Sequence, residues 1–386
     1  MNSEEIKKIS LRIRENRVQL KLSREEMGKL LNLHPIEAIA MDDGNFPNLN
    51  GDHVLLASRF LRMDYRRLLF DEWAGERNAV LDLLRNNPGL SRFDRMAIQE
   101  FVQMAENKRS LETRLEIPIR ETMRYFFDPP ASNQDALDQA SYAAAKERER
   151  LGIGAQPLNV FRLLSLVGVN IFRRKLEDPR ISSLFFRHPS AGICVLVNKV
   201  DDHYRERYSA AHEYAHALLD PALTIHFSRL GAGADRQEQR ANIFAGHLLI
   251  PPAAFEGIDP SLLSEPERLI ALCKELGERF LVNGMVILLR LLELNWLQQD
   301  RIPALMGLPE LRAPLHPPFD PVLPFRLPER KKKSFQPLLD RGISWDYMAL
   351  VVRGFREGVL SRAKMGEMLM TSQRDAFGLA QEVGLL

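Results

Sequence analysis

The sequence predicts an α+β multidomain protein, with an all-α N-terminal unit, a mixed helical and stranded middle and a small helical C-terminal unit. Three observations carry this. The chain has 386 residues, more than one ordinary domain, and 45% apolar content supplies a core for each of two or three domains. Apolar residues recur at helical spacing through most of its length. Only three β-branched and aromatic runs, Val169–Phe172, Ile181–Arg187 and Ile193–Asn198, read as strands, and they lie together in the middle.

Residues 1–73 form the first unit. Ile6, Ile9, Ile13 and Leu20 space as a helix. Ser23 with Glu26 makes a capping box that starts a second helix, Asn32 and Leu33 supply a turn, and Pro35 opens a third, which Asp43 and Gly44 close. A further helix follows from about His53 to Phe60. This order resembles the helix-turn-helix of the Cro/C1-type (XRE) family, which implies DNA binding through the third helix. The residues of that helix argue against sharp base recognition. His34 to Met41 carries no Arg, Ser, Thr or Gln to read base edges, and Glu37, Asp42 and Asp43 would oppose phosphates. Twelve basic and twelve acidic residues leave the unit neutral. Arg24 and Lys29, with Arg12 and Arg14, remain as backbone contacts. The alternative use is dimerisation, as in a homodimer, or partner docking.

Residues 74–128 read as a helical connector, broken at Asn87-Pro88-Gly89. The middle domain, 129–300, begins after the boundary Asp128–Asn133 with an alanine-rich helix from Ala136 to Leu151 and another from Leu158 to Val167. The three strands come next, the last two joined as a hairpin by Pro189–Gly192. The strand before the next helix is the expected place for a peptide to add.

That next helix holds Tyr208 to His216, read Tyr-Ser-Ala-Ala-His-Glu-Tyr-Ala-His. His212 and His216 are four apart, so both imidazoles reach one metal ion from one face. Glu213 between them can take a proton from a water at that metal. Neutral imidazole suits zinc, and three protein ligands leave one position open. Glu238 is the candidate third ligand. It opens a second helix that runs to Pro251, and Asn242, four residues on, can support a metal ligand from behind. His203, Tyr204, Tyr208 and His226 are candidates to stabilise the oxyanion. Pro221 to Asp235 reads as a loop between the metal helices and a candidate lid.

Together, Tyr208–His216 and Glu238–Pro251 resemble the ImmA/IrrE family of zinc metallopeptidases. The resemblance implies a gluzincin-like fold, Zn2+ as cofactor, and a DNA-binding repressor as protein substrate. Family members often carry a second acidic residue where this chain has Arg240, which leaves Glu238 as the carboxylate for the ligand role.

After two more helices between Glu265 and Leu297, prolines crowd residues 301–334, read as an extended linker ending in Arg330-Lys-Lys-Lys333. Residues 335–386 carry three amphipathic helices, Trp345–Phe355, Ser361–Leu369 and Ser372–Val383. A net charge of +2 gives no global argument for nucleic acid. Cys194 and Cys273 sit in apolar runs and read as free thiols of a reducing cytosol, so the expected location is cytoplasmic. No secretory signal and no membrane span is visible in the sequence. Two functions remain: a zinc endopeptidase in gene regulation, or a non-proteolytic helix-turn-helix regulator or antitoxin whose peptidase-like domain senses a ligand or binds a partner.

Overall fold

The computed structural model describes residues 2–120, 122–199, 202–229, 235–312, 320 and 322–386. The N-terminal unit is built from α1 (Ser3–Gln19), α2 (Arg24–Leu30), α3 (Pro35–Asp42), α4 (Gly51–Phe60) and α5 (Arg66–Leu69). The Ser23 hydroxyl accepts from Glu26 N–H, and the Glu26 carboxylate accepts from Ser23 N–H, so α2 starts where the capping box sets it. Gly28 lets α2 and α3 touch: a Cβ there would stand 2.6 Å from that of Ala38. Ile9, Ile13, Met27, Leu31, Met41 and Val54 fill the space between the helices.

Two charge assignments change here. Asp42 does not face outward. It is 1% exposed, and its two oxygens accept from Nε and Nη2 of Arg17 at 2.9 Å each, tying α3 to α1. Arg12 is also buried, donating to Leu68 O and Asp71, so it is not a phosphate contact.

Next come α6 (Ala74–Arg85) and α7 (Arg92–Arg114), separated by the expected break. The connector is not helical to its end. Glu116 takes a positive φ of 52° and Pro118 disfavours helix in Ile117, so α7 stops. Beyond it the chain runs extended along the middle domain, with Thr122 donating to Val167 O and Tyr125 N–H to Leu218 O.

The middle domain comprises α8 (Asn133–Arg150), α9 (Val160–Leu166), β1 (Asn170–Arg174), β2 (Ile181–His188), β3 (Gly192–Asn198), α10 (His203–Leu219), β4 (Ile225–Arg229), α11 (Arg236–Leu249), α12 (Pro266–Phe280) and α13 (Gly284–Glu293). Among the described residues the strands make one mixed sheet in the order β1-β3-β2-β4, with β3 parallel to β1 and β2 antiparallel to both β3 and β4. Two sequence expectations fall. The stretch 221–235 is not wholly a loop, because it contains β4; its residues 230–234 lie outside the described residues. The strand before the metal helix, β3, is central and already paired on both sides, so it cannot take an added peptide.

Alternation along the strands divides the sheet between two cores. Leu184, Phe186, Cys194 and Leu196 join one core with the N-terminal unit, α7 and the C-terminal helices. Phe185, Val195 and Val197 join the other with α8 to α13. The rings of Phe101 on α7, Phe172 on β1 and Tyr347 stack edge to face at 5.8 and 5.7 Å. Such pairs contribute about 0.5–1.5 kcal/mol each beyond their burial.

The chain ends with α14 (Ile302–Met306), α15 (Glu329–Asp340), α16 (Trp345–Arg356), α17 (Arg362–Met368) and α18 (Gln373–Val383). The proline-rich stretch is less extended than its composition suggests. Leu305, Leu311 and Leu323 are buried, and Arg330–Lys333 lies in the first turns of α15. Pro314, Pro317, Pro318 and Pro321 lie outside the described residues. No helix among the described residues is long and apolar enough to cross a membrane.

Candidate metal centre

The centre lies where α10 and α11 cross against the inner face of the sheet. Asp202 caps α10, accepting from Tyr204 and Arg205 N–H, and Asp235 caps α11, accepting from Gln237 and Glu238 N–H. Ala210, Ala211, Ala215, Ala241 and Ala245 are buried at the crossing, where small side chains let the helices approach. His212 and His216 then share one face of α10, and Glu238 projects towards them from the first turn of α11.

The ligand atoms converge. His212 Nε2 stands 3.1 Å from His216 Nε2 and 3.4 Å from Glu238 Oε2, and His216 Nε2 stands 3.1 Å from Glu238 Oε1. Bonds of about 2.0–2.1 Å in a tetrahedron around zinc place ligand atoms about 3.3 Å apart, so the set fits that ion. The imidazoles are also turned correctly. His212 Nδ1 is 2.9 Å from Asn242 Oδ1, and His216 Nδ1 is 2.8 Å from Asp220 Oδ2. Both partners are acceptors, so each Nδ1 carries a hydrogen, which leaves each Nε2 to hold either a second proton or a metal ion. Deprotonated, the two Nε2 lone pairs and the carboxylate would face one point and repel one another unless a cation lay between them.

The electrostatics agree. Burial works against a charged His216, yet its hydrogen bonds to Asp220 and Glu238 outweigh this and hold the imidazole at about 10. Burial likewise opposes ionised Glu238, but His212, His216 and His226 hold its carboxyl far below the usual range. The site is a place for positive charge.

Supports absent from the sequence reading surround this set. Asp220, which orients His216, takes a 2.6 Å hydrogen bond from Arg240 through its other oxygen. Arg240 is 1% exposed and also donates to Gln139 on α8. The residue that departs from the family pattern is therefore a strut behind the first ligand helix. The signal for Asp220 was its place four residues after His216. Arg187 on β2 donates to the carbonyls of Ala217, Asp220 and Leu223, closing the C-terminal end of α10.

Glu213 is fully buried. Its Oε1 accepts from Ser183 on β2 at 2.5 Å and from Ser228 on β4 at 2.6 Å. Neither serine was singled out from sequence. The strand alternation Ile225-His226-Phe227-Ser228 was the available signal, hidden by the Gly and Ala residues that flank it.

Of the four oxyanion candidates, the structure brings His226 to the ligand cluster. Its Nε2 lies 3.0 Å from Glu238 Oε1 and its ring centroid 5.0 Å from that of His216. Tyr208 is near but engaged elsewhere, donating to Asn242 O at 2.9 Å. Tyr204 and His203 sit in the first turn of α10, eight and nine residues before His212, roughly 12–14 Å along the helix axis. His203 packs on Phe161, with Arg173 and Arg207 nearby. Burial and those cations push it down to about 3, so it is a neutral packing residue and not part of the centre.

Residues 165–292, a third of the chain, match the family model described as the IrrE N-terminal-like domain, a peptidase family. The match spans the four strands and both ligand helices. It supports a metallopeptidase-like domain of the ImmA/IrrE kind. No curated protein and no solved structure matches the chain.

Proposed function

From a chain whose middle third matches this peptidase family, we propose a zinc-dependent endopeptidase that acts in transcriptional regulation by cleaving a DNA-binding repressor or a related regulatory protein. The observation that carries this reading is the convergence of His212, His216 and Glu238 at tetrahedral spacing, with Glu213 on the same helix. Zinc, when bound there, acidifies a water and polarises the scissile carbonyl.

The chain's own residues do the rest. Glu213 accepts the proton of the attacking water and passes it to the leaving amine nitrogen. His226 faces the developing oxyanion from β4. Among the described residues β4 is an edge strand with the unpaired backbone groups that β3 lacks, so an extended substrate pairs there, beside the centre. Cys194 and Cys273 are buried free thiols, both pushed up to about 12, which suits a reducing cytoplasm. The N-terminal helices act as an XRE-like docking unit that touches DNA backbone through Arg24 and Lys29.

A second reading is favoured by one observation: His212, Glu213 and His216 are 5%, 0% and 1% exposed. In it the metal is structural or sensory, and the protein is a non-proteolytic regulator or antitoxin. Wild type, Glu213→Ala and His216→Ala are expressed beside the candidate partner, and partner length is followed by immunoblot. Proteolysis requires that both variants leave the partner intact and lose the regulatory phenotype. A Glu213→Ala protein that regulates like wild type, while His216→Ala does not, overturns it in favour of the second reading.

A further inference from the structure

Glu213 is held by a device built from two strands. Ile181 pairs with Arg229 and Ser183 with Ser228, so β2 carries one residue more than β4 between these pairs. This bulge at Ser182 shifts the register so that Ser183, not Ser182, stands opposite Ser228. Past the bulge, alternation keeps Ser183, Phe185 and Arg187 on the face towards α10. They meet Glu213, the His216 ring and the C-terminal carbonyls of α10 in that order. On β4 the same rule puts His226 and Ser228 on one face, one at Glu238 and the other at Glu213.

Both hydroxyls bond to the same oxygen. Oε1 of Glu213 is doubly engaged, while Oε2, buried with it, has no hydrogen-bond partner among the described residues. A carboxylate held this way can neither rotate nor exchange its oxygens without breaking two hydrogen bonds. Oε2 is left as the oxygen free to take a proton.

We propose that Ser183 and Ser228 are the positioning residues of Glu213, clamping Oε1 across the β2–β4 pair so that Oε2 alone serves as the base. The inference rests on the peptidase reading for its catalytic consequence. Ser228 lies on the edge strand, so a peptide pairing with β4 fixes one jaw of the clamp as it docks.

The test compares Ser183→Ala, Ser228→Ala, the double variant, and the pair Ser228→Thr and Ser228→Val, which differ in one hydroxyl and suit a strand equally. Zinc content by elemental analysis should equal wild type in all. In cleavage of the partner protein, the double variant should lose about 10–100-fold in kcat with KM unchanged, since misplacing a catalytic group by about 1 Å has that effect. Ser228→Thr should restore the rate and Ser228→Val should not. A second readout needs neither zinc nor turnover: crystal structures of the metal-free proteins should show one Glu213 conformer in wild type and several in the double variant. If the double variant does not fold, the Thr and Val proteins give the same comparison.

Wild-type kcat in the double variant or in Ser228→Val, or a single Glu213 conformer without the hydroxyls, overturns the clamp. If Glu213→Ala cleaves as wild type does, or wild type cleaves nothing, the peptidase reading fails instead. The conformer comparison then still decides whether the serines hold Glu213.

Discussion

Arg240 Nη2 lies 2.6 Å from Asp220 Oδ1, and the other oxygen of Asp220 lies 2.8 Å from His216 Nδ1. A buried arginine on one helix of the candidate centre therefore sets the orientation of a candidate ligand on the other. Removing Arg240 leaves a buried carboxylate without its cation. Arg240→Met should lower stability by about 3–5 kcal/mol in urea unfolding. Asp220→Asn should weaken zinc binding about 10–100-fold in a chelator competition, with the chain still folded. Unchanged affinity in Asp220→Asn would show that the strut does not reach the metal.

Purified protein should carry about one zinc per chain, and His216→Ala should carry none. The three ligand atoms are already within 4.8 Å of one another, so the site needs little rearrangement to close on an ion. Freshly purified wild type without metal would remove the basis for zinc chemistry.

The far end of α10 gives a pH dependence with a definite sign. His203 drops from 6.5 to about 3 through burial, with Arg173 and Arg207 adding to it. Between those values the unfolded chain binds a proton that the folded chain refuses, so stability rises with pH and is lost as pH falls below 6.5. Glu206 behaves oppositely. Burial raises it from 4.5 to about 7, although Arg173, shared with Asp320, pulls it down. Its stabilisation is complete below 4.5 and is lost as pH rises towards 7. The two slopes oppose each other between 4.5 and 6.5. His203→Phe should therefore tilt stability downward with rising pH relative to wild type, and Glu206→Gln upward, each by up to about 1.4 kcal/mol per unit. Urea unfolding at pH 5 and pH 6 measures the tilt, and parallel behaviour of the three proteins would refute the assignment.

DNA binding should be weak, strongly salt-dependent and nearly indifferent to sequence. Ile36 and Ile39 on α3 are 72% and 45% exposed, where a base-reading helix would present polar groups. The charge of Arg24 is partly spent on Asp42, 2.9 Å away. Fluorescence anisotropy showing nanomolar, sequence-selective binding at physiological salt would reverse this and favour a repressor.

The residues legible in the sequence were those whose relations are local. His212, Glu213 and His216 lie on one turn of helix, and Glu238 shares a recurrent motif with Asn242. Ser23 and Glu26 likewise announced the start of α2 by spacing alone. What stayed hidden depends on pairing between distant segments. Ser183 and Ser228 meet only because β4 pairs with β2 across a bulge, and five strand residues between two flexible-looking flanks read as loop. Arg240 looked like a departure because its partner, Asp220, is twenty residues away on another helix. His203 and His226 looked equivalent as sequence. Helix length carries one away from the ligands, and a strand invisible to periodicity brings the other to them.

The outer core draws on both ends of the chain: Ile9 and Met27, Phe101 on α7, Phe186 and Leu196 on the sheet, and Tyr347 and Val383 all belong to it. A chain made from its N-terminus cannot close that core early. The N-terminal unit and α7 can cover their part of the back of the sheet as soon as the strands are made, but Tyr347 closes on Phe172 only after residues beyond 340 have left the ribosome. The face of the sheet opposite the centre is thus sealed by helices made well after the centre's own residues.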